Sequence, residues 1–109
     1  MEEITLREVC DSFGVSRRAV QGYEKAGLVC ATGRNRRGHL LYDINSQERI
    51  KKIKLFQEMG FSIKEICEII DAPSHILKSA LEERIAKLKE DYAHTENMIR
   101  KANELIELL

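Results

Sequence analysis

The 109-residue sequence is poor in several residue types, and each shortage excludes a class of protein. It has one proline and no low-complexity segment, so a disordered tail or a flexible linker is not expected. It has no run of about 18 apolar residues. The first residues, MEEIT, carry two acids where a secretory signal needs a basic and then an apolar stretch. We therefore expect a cytoplasmic protein that has no membrane partner.

The cysteines are too few and too far apart for a disulfide framework or a zinc finger. Cys10 and Cys67 fall on the apolar faces of predicted helices, which indicates small core residues, whereas Cys30 is the thiol expected at the surface. Single thiols without clustered partners make poor sites for soft metals. We predict no metal and no cofactor, and a metal- or redox-sensing regulator remains an alternative.

The charges balance over the whole chain but not locally. There are 18 basic and 18 acidic side chains, which alone would argue against a nucleic-acid partner. Between Arg17 and Lys54, however, ten residues are basic and three are acidic, which gives this segment a net charge of +7. These basic residues fall at the start of a predicted helix, in a turn and along a later helix. This distribution is typical of a surface that neutralises DNA phosphates.

Two short helices are predicted at the start of the chain. Apolar residues recur at helical spacing from Leu6 to Phe13, after a capping box formed by Thr5 and Glu8, and Gly14 follows. A second helix has Ser16 as its cap and Gly27 as its stop; its buried side would use Ala19, Val20 and Tyr23. Two such helices joined by a short glycine turn predict a helix-turn-helix.

The helical period stops between Leu28 and Tyr42. Two apolar pieces, LVCA and LLY, flank the polar turn TGRNRRGH, which predicts a small β-hairpin wing. A third helix is predicted with Asn45 as its cap, Glu48 at the capping-box position and a buried face that includes Leu55. A fourth begins at the capping box of Ser62 and Glu65 and stops before the only proline.

The segment from Ser74 to Leu109 has neither glycine nor proline, which predicts one helix about 50 Å long. Its apolar residues alternate in steps of four and three, the pattern of a coiled-coil seam. A lone amphipathic helix packed on its own domain is the alternative, but it needs a wider apolar stripe. We predict a homodimer whose seam comprises Leu81, Ile85, Leu88, Tyr92, Thr95, Ile99, Ala102, Ile106 and Leu109.

Helix-turn-helix geometry suggests how the basic residues are used. The second helix of such a motif enters the major groove by its N-terminal residues, where an arginine can donate two hydrogen bonds to guanine. Arg17 and Arg18 occupy these positions. The wing arginines would meet phosphates or the adjacent minor groove. For Tyr23 two interpretations stay open, a core aromatic ring or a hydroxyl bound to phosphate.

The strings GVSRRAVQGYEKAGLV, GHLLY and IKLFQEMGFSIKEICEII resemble the MerR family of bacterial transcription regulators over nearly the whole chain. The resemblance implies a mainly α fold: a winged helix-turn-helix domain over residues 1–72 and a long antiparallel coiled-coil dimerisation helix over 74–109. It also implies a palindromic operator in an overlong promoter spacer, and RNA polymerase as a partner. The expected DNA-binding residues are Ser16, Arg17, Arg18, Gln21, Tyr23, Arg34, Arg36, Arg37, His39 and Tyr42.

Two parts of the chain depart from the family pattern. Gln21 and Gly22 stand where the family usually has an arginine and aromatic run, and His39 and Leu40 stand where a wing tyrosine and arginine are usual. The additional wing arginines are expected to compensate. Other classes remain alternatives: a DNA-bending recombination accessory factor of winged-helix type, or a protein-interaction module. An enzyme is disfavoured, because no phosphate-binding glycine loop or catalytic spacing is present.

Overall fold

The computed structural model describes residues 2–109, and most of this part is helical. The five helices follow one another in the order that the sequence predicts for a winged domain and a terminal helix, so the predicted mainly α class is confirmed. The helices are α1 (Leu6–Phe13), α2 (Arg17–Lys25), α3 (Ile44–Glu58), α4 (Ile63–Ile69) and α5 (Ser74–Leu108), and the strands are β1 (Ile4–Thr5), β2 (Gly33–Arg34) and β3 (Leu40–Tyr42).

Two of the three predicted capping boxes are confirmed. Thr5 accepts a hydrogen bond from the backbone N–H of Glu8, and the Glu8 carboxylate accepts one from the backbone N–H of Thr5. Ser62 and Glu65 do the same at the start of α4. The third prediction, a cap at Asn45, is wrong. α3 begins two residues earlier, because Asp43 directly follows β3 and its carboxylate accepts from the N–H of Ser46 at 2.9 Å.

Gly27 ends α2 as predicted. Its φ of 78° lies in the left-handed region, and the N–H of Leu28 donates to the carbonyl of Tyr23 at 3.0 Å. The N–H of Gly27 donates to the carbonyl of Glu24, which completes a Schellman motif. The chain therefore leaves the helix in a fixed direction, and Leu28 turns back into the core, where it is buried.

A three-stranded antiparallel sheet stands where a two-stranded wing was predicted. Its strand order is β1, β3, β2, and Leu41 of the central strand lies opposite both Thr5 and Gly33. The pairing of β1 was not predicted. The piece LVCA is not a strand: Leu28 and Val29 are buried in the connection after α2, and the wing's first strand begins only at Gly33.

The core of the winged part is built from one face each of the first four helices together with β3. Ile50, Ile53 and Phe56 of α3 are buried at helical spacing. Leu55, predicted on this face, is 49% exposed. It lies about 100° around the helix from Phe56, which takes it out of the apolar stripe. The fully buried side chains are Tyr42, Ile50, Ile53, Ile66, Val9 and Val20.

The chain divides into two compact units, one that ends at Asp71 and one from Ala72 to Leu109. None of the 35 residues of α5 is buried, and a helix of this length spans about 50 Å. The predicted domain division into residues 1–72 and 74–109 stays a prediction about independent folding. Within residues 2–109, no helix is both long and apolar enough to cross a bilayer.

Candidate nucleic-acid interface

The start of α2 presents basic and polar side chains to solvent. Ser16 accepts a hydrogen bond from the N–H of Ala19 at 2.9 Å and so fixes where the helix begins. Val20 is fully buried and holds the opposite face of the helix in the core. Arg17, Arg18 and Gln21 are exposed. The two arginines that the sequence predicts at base edges are thus accessible to a ligand, and the expected DNA-binding residues Ser16 and Gln21 are exposed beside them.

Tyr23 belongs to the core. Its side chain is 2% exposed, and its hydroxyl donates to the side-chain carbonyl of Gln57 at 2.6 Å. Burial raises the pKa of the Tyr23 hydroxyl above its ordinary value. Of the two interpretations left open by the sequence, the structure shows the core aromatic ring. The predicted donation to phosphate is corrected, since this hydroxyl already donates to α3.

Tyr42 does not lie at the surface either, so its prediction as a DNA contact is wrong. It is fully buried on the central strand, and its hydroxyl donates to the Glu24 carboxylate at 2.7 Å. Burial, and then the hydrogen bond to Glu24, raise the pKa of the Tyr42 hydroxyl well above its ordinary value. The physical reason is the alternation of β3, which turns Tyr42 inward as the chain enters α3. Tyr42 therefore joins α2 to the sheet.

The tip of the wing is a tight turn held by Asn35. The Asn35 side-chain oxygen accepts hydrogen bonds from the backbone N–H groups of Arg37 and His39, at 2.9 and 3.0 Å. Gly38, with φ of 83°, supplies the left-handed residue of the turn. Arg34 donates to the carbonyl of Gly38 at 2.7 Å, so part of its guanidinium braces the turn. The four predicted wing residues Arg34, Arg36, Arg37 and His39 are all exposed.

The basic residues of α3 have partners inside the domain, which narrows the predicted basic surface. Lys54 donates to the carbonyl of Phe13 at the end of α1. Arg49 donates to the carbonyl of Leu28 and forms a two-pronged ion pair with Asp71. These groups fasten α3 to its neighbours, so their prediction as phosphate contacts is corrected. The exposed basic side chains include those at the start of α2, those of the wing and two lysines in the middle of α3.

The start of α2 and the wing meet at a cleft of about 410 Å³. Arg17 from α2 and His39 from the wing both line it, so the structure brings together residues that lie 22 positions apart in the sequence. Arg7 of α1 lines it as well. Sequence reasoning missed Arg7, because its position in an amphipathic helix gives no sign that the wing folds against that helix. The sequence offered one weak indication of an anion-binding role, a basic residue in the first turn of the helix.

The cysteines differ from their predicted burial. Cys30 is exposed as expected, and Cys10 is half-buried. Cys67 is exposed, so its prediction as a core residue is wrong: α4 turns Ile66 and Ile69 inward and leaves Cys67 on the other side. In the described part of the chain, no group of three or more histidine, cysteine or acidic side chains is arranged to hold a metal ion.

The predicted dimer seam is an exposed apolar face of α5 on the single chain. Ile85 is 49% exposed, Leu88 41% and Ile99 57%, and Tyr92, Ile106 and Leu109 are also exposed. Leu81 is half-buried, and Thr95 and Ala102 are exposed between the larger side chains. A row of apolar residues along a helix of this length is typical of an interaction surface.

Comparison with known proteins gives consistent matches. A family model described as MerR HTH family regulatory protein matches residues 4–73. The nodulation protein NolA of Bradyrhizobium diazoefficiens is 32% identical over 88 residues, which are 81% of this chain and 37% of that protein. The chain thus spans about a third of the length of the nodulation proteins it matches, at 37%, 32% and 27% of them.

Two solved structures resemble nearly the whole chain. MtaN, the N-terminus of the Bacillus subtilis multidrug transporter activator, is 27% identical with a TM-score of 0.72, and the match covers 94% of this chain and 97% of that one. HiNmlR is described as a MerR family regulator lacking the sensor domain, bound to promoter DNA. It is 20% identical with a TM-score of 0.73 over 90% of this chain and 79% of that one, a likeness of fold.

Proposed function

This chain belongs to the MerR HTH family of regulatory proteins, and from that premise we propose that it is a homodimeric, sequence-specific DNA-binding transcriptional regulator. Its ligand is double-stranded DNA, bound at a palindromic operator within a promoter spacer. RNA polymerase at that promoter is the further partner. The protein acts in the cytoplasm, at the nucleoid, and the proposal assigns it no catalytic activity.

One observation carries the proposal: exposed basic side chains from α2 and from the wing share a single surface. Arg17 and His39 line one cleft, and Arg18 and the wing-tip arginines are exposed beside these positions in the chain. Helix residues at the start of α2 suit base edges in the major groove, and wing arginines suit phosphates. Double-stranded DNA presents both kinds of group side by side.

The wing is stiff enough to hold its arginines in a fixed place. Two hydrogen bonds to the Asn35 side chain close the turn, and Leu41 pairs on both sides within the sheet. Because less freedom is lost when a rigid element binds, such a wing contributes more affinity than a mobile loop with the same charge. Arg36 and Arg37 therefore act as positioned phosphate contacts.

Pairing of two copies through α5 supplies the second half of the DNA-binding surface. The apolar seam covers four heptads, and its large side chains are exposed on the single chain. Burying this face against a second copy removes apolar surface from water, which is the main driving force for such pairing. Two winged units related by a two-fold axis then match a palindromic site.

The function is tested by selecting bound fragments from a genomic DNA library and footprinting the selected sites. A palindrome inside a promoter spacer, bound with an affinity that falls steeply with salt, supports the proposal. Tandem sites at a recombination attachment region, with strong bending, would favour the accessory-factor alternative instead. A protein that forms only heteromeric complexes and binds no duplex would be an interaction module, and the proposal would be wrong.

A further inference from the structure

The cleft between α1, α2 and the wing has a chemistry of its own. Arg7, Arg17 and His39 line it from three different elements, and its lining residues within the described chain include no carboxylate. Arginine is always charged and only donates hydrogen bonds, and an imidazole offers an N–H in either protonation state. Leu6 and Leu40 give the cleft apolar walls. The cleft therefore suits an anionic group attached to a less polar one.

Arg7 stands at an unfavourable place in its own helix. It is the second residue of α1, whose cap Thr5 also lines the cleft. A cation in the first turn is repelled by the positive end of the helix dipole. Arg17 has the same problem as the first residue of α2, which has no acid in its first turn. In α1 the carboxylate of Glu8 accepts hydrogen bonds from Thr5 and offsets part of this positive end, whereas α2 has no such acid. Two helix starts thus bring guanidinium groups to one cleft, and an anion seated there would relieve above all the repulsion at Arg17.

We propose that this cleft binds one backbone phosphate of the DNA duplex and that Arg7 is a binding residue for it, together with Arg17 and His39. The inference rests on the proposed function and adds α1 to the contact surface. The duplex is the source of the phosphate because Arg17 and His39 belong to the two elements that meet it. DNA lying across α2 and the wing covers the cleft between them.

The first test compares Arg7→Gln with the wild-type full-length chain on a duplex that the wild type selects. The slope of log affinity against log salt should fall by about one, since each phosphate contact contributes about 0.9 to it. The thermal midpoint should stay the same or rise, because the dipole repulsion is removed. Arg7→Lys should keep most of the slope. Lys64→Gln, which removes an exposed cation of α4, should leave the slope unchanged.

A scan with single methylphosphonates identifies the phosphate. The phosphates of each strand are replaced one at a time by this neutral group. One position per half-site should weaken binding of the wild type and leave binding of Arg7→Gln unchanged. Equal profiles, or an equal salt slope in the two proteins, would overturn the inference. Nuclear magnetic resonance of the Arg7 side chain during titration with inorganic phosphate at constant ionic strength gives the other arm. A change in the Arg7 signals on addition of phosphate, together with equal methylphosphonate profiles for the two proteins, would mean that the cleft binds small anions and does not contact DNA.

The outcomes separate the two levels of proposal. If the wild type binds no duplex in a salt-dependent way, the proposed function fails together with this inference. If the wild type binds its operator and Arg7→Gln binds it with the same affinity and slope, only the role of Arg7 fails.

Discussion

The guanidinium of Arg49 donates two parallel hydrogen bonds to the carboxylate of Asp71, at 2.8 and 2.7 Å. The third donor, Nε, is bonded to the carbonyl of Leu28. One side chain of α3 thus joins the exit from α2 to the end of α4. The pKa of Asp71 is lowered chiefly by the hydrogen bonds from Arg49, and the pKa of Arg49 is raised by the same contact.

This ion pair predicts a pH dependence of stability. A carboxylate with a lowered pKa stabilises the folded state above its unfolded pKa of about 3.9 and loses that effect as pH falls through the folded value. Asp71→Asn should therefore lower the thermal midpoint at neutral pH, and its difference from the wild type should shrink below about pH 4. Thermal melts from pH 7 to pH 3 measure this. Glu68→Gln, an exposed carboxylate of α4, is the control.

The buried hydroxyl of Tyr42 predicts a second effect. Tyr42→Phe removes its bond to the Glu24 carboxylate and should cost about 1.5–3 kcal/mol, because the acceptor is charged. The pKa of Tyr42 is raised in the folded state. Its contribution to the free energy of unfolding is therefore fully present below the unfolded pKa of about 10 and is lost as pH rises above that value. Tyr42→Phe should flatten that alkaline decline. Urea unfolding between pH 7 and 11 measures the free energy of unfolding. An equally steep decline of that free energy in both proteins would contradict this account.

Substitution of Ser16 separates its role as a helix cap from its proposed contact with DNA. Ser16→Ala loses the bond to the N–H of Ala19 and should cost about 1 kcal/mol of stability. Ser16→Asp keeps a cap and suits the helix dipole, so its stability should match the wild type. Its added negative charge should nevertheless weaken DNA binding. Equal DNA affinity for Ser16→Asp and the wild type would remove Ser16 from the interface.

The wing arginines should act on affinity and not on folding. Joint replacement of Arg36 and Arg37 by alanine should lower the salt slope by about two, because each lost phosphate contact removes about 0.9. The thermal midpoint should not change, since both side chains are exposed at the turn. Replacing Lys64 and Lys78 by alanine removes the same charge elsewhere. If both pairs changed the slope equally, the effect would be one of net charge alone.

A charge in the middle of the seam should separate the proposed dimer. Ile99→Asp puts a carboxylate among apolar side chains, and its desolvation should make the chain monomeric in sedimentation and weaken operator binding. Asn97→Asp adds the same charge two residues away, on the heptad face opposite the seam. It should leave both properties intact. A dimeric Ile99→Asp variant would contradict pairing through this face.

Local signals made some of the fold predictable. The capping boxes at Thr5 and Ser62 depend on residues three positions apart, so the sequence states them directly. The stop at Gly27 likewise needs only a residue that tolerates a positive φ. The exposed start of α2 followed from its apolar spacing, which left Arg17 and Arg18 on the other face.

Pairing between distant segments was not predictable in the same way. β1 is two residues long and has no pattern of its own, and its strand conformation depends on Tyr42 and Leu41 in the partner strand. The burial of Tyr42 and the contacts of Lys54 and Arg49 with neighbouring elements also depend on which elements meet. Arg7 is a further case, because it lines the cleft only through the contact of the wing with α1, which the sequence of α1 does not indicate.

Leu41, opposite both Thr5 and Gly33, has a mechanical consequence. Thr5 is at once the last residue of β1 and the cap of α1. The wing is therefore connected to the first turn of α1 through the pairing of β3 with β1, and no loop lies between β1 and α1. We therefore expect the wing and the start of α1 to move together, and we expect outward bending of the wing to require that the pairing of β3 with β1 be broken.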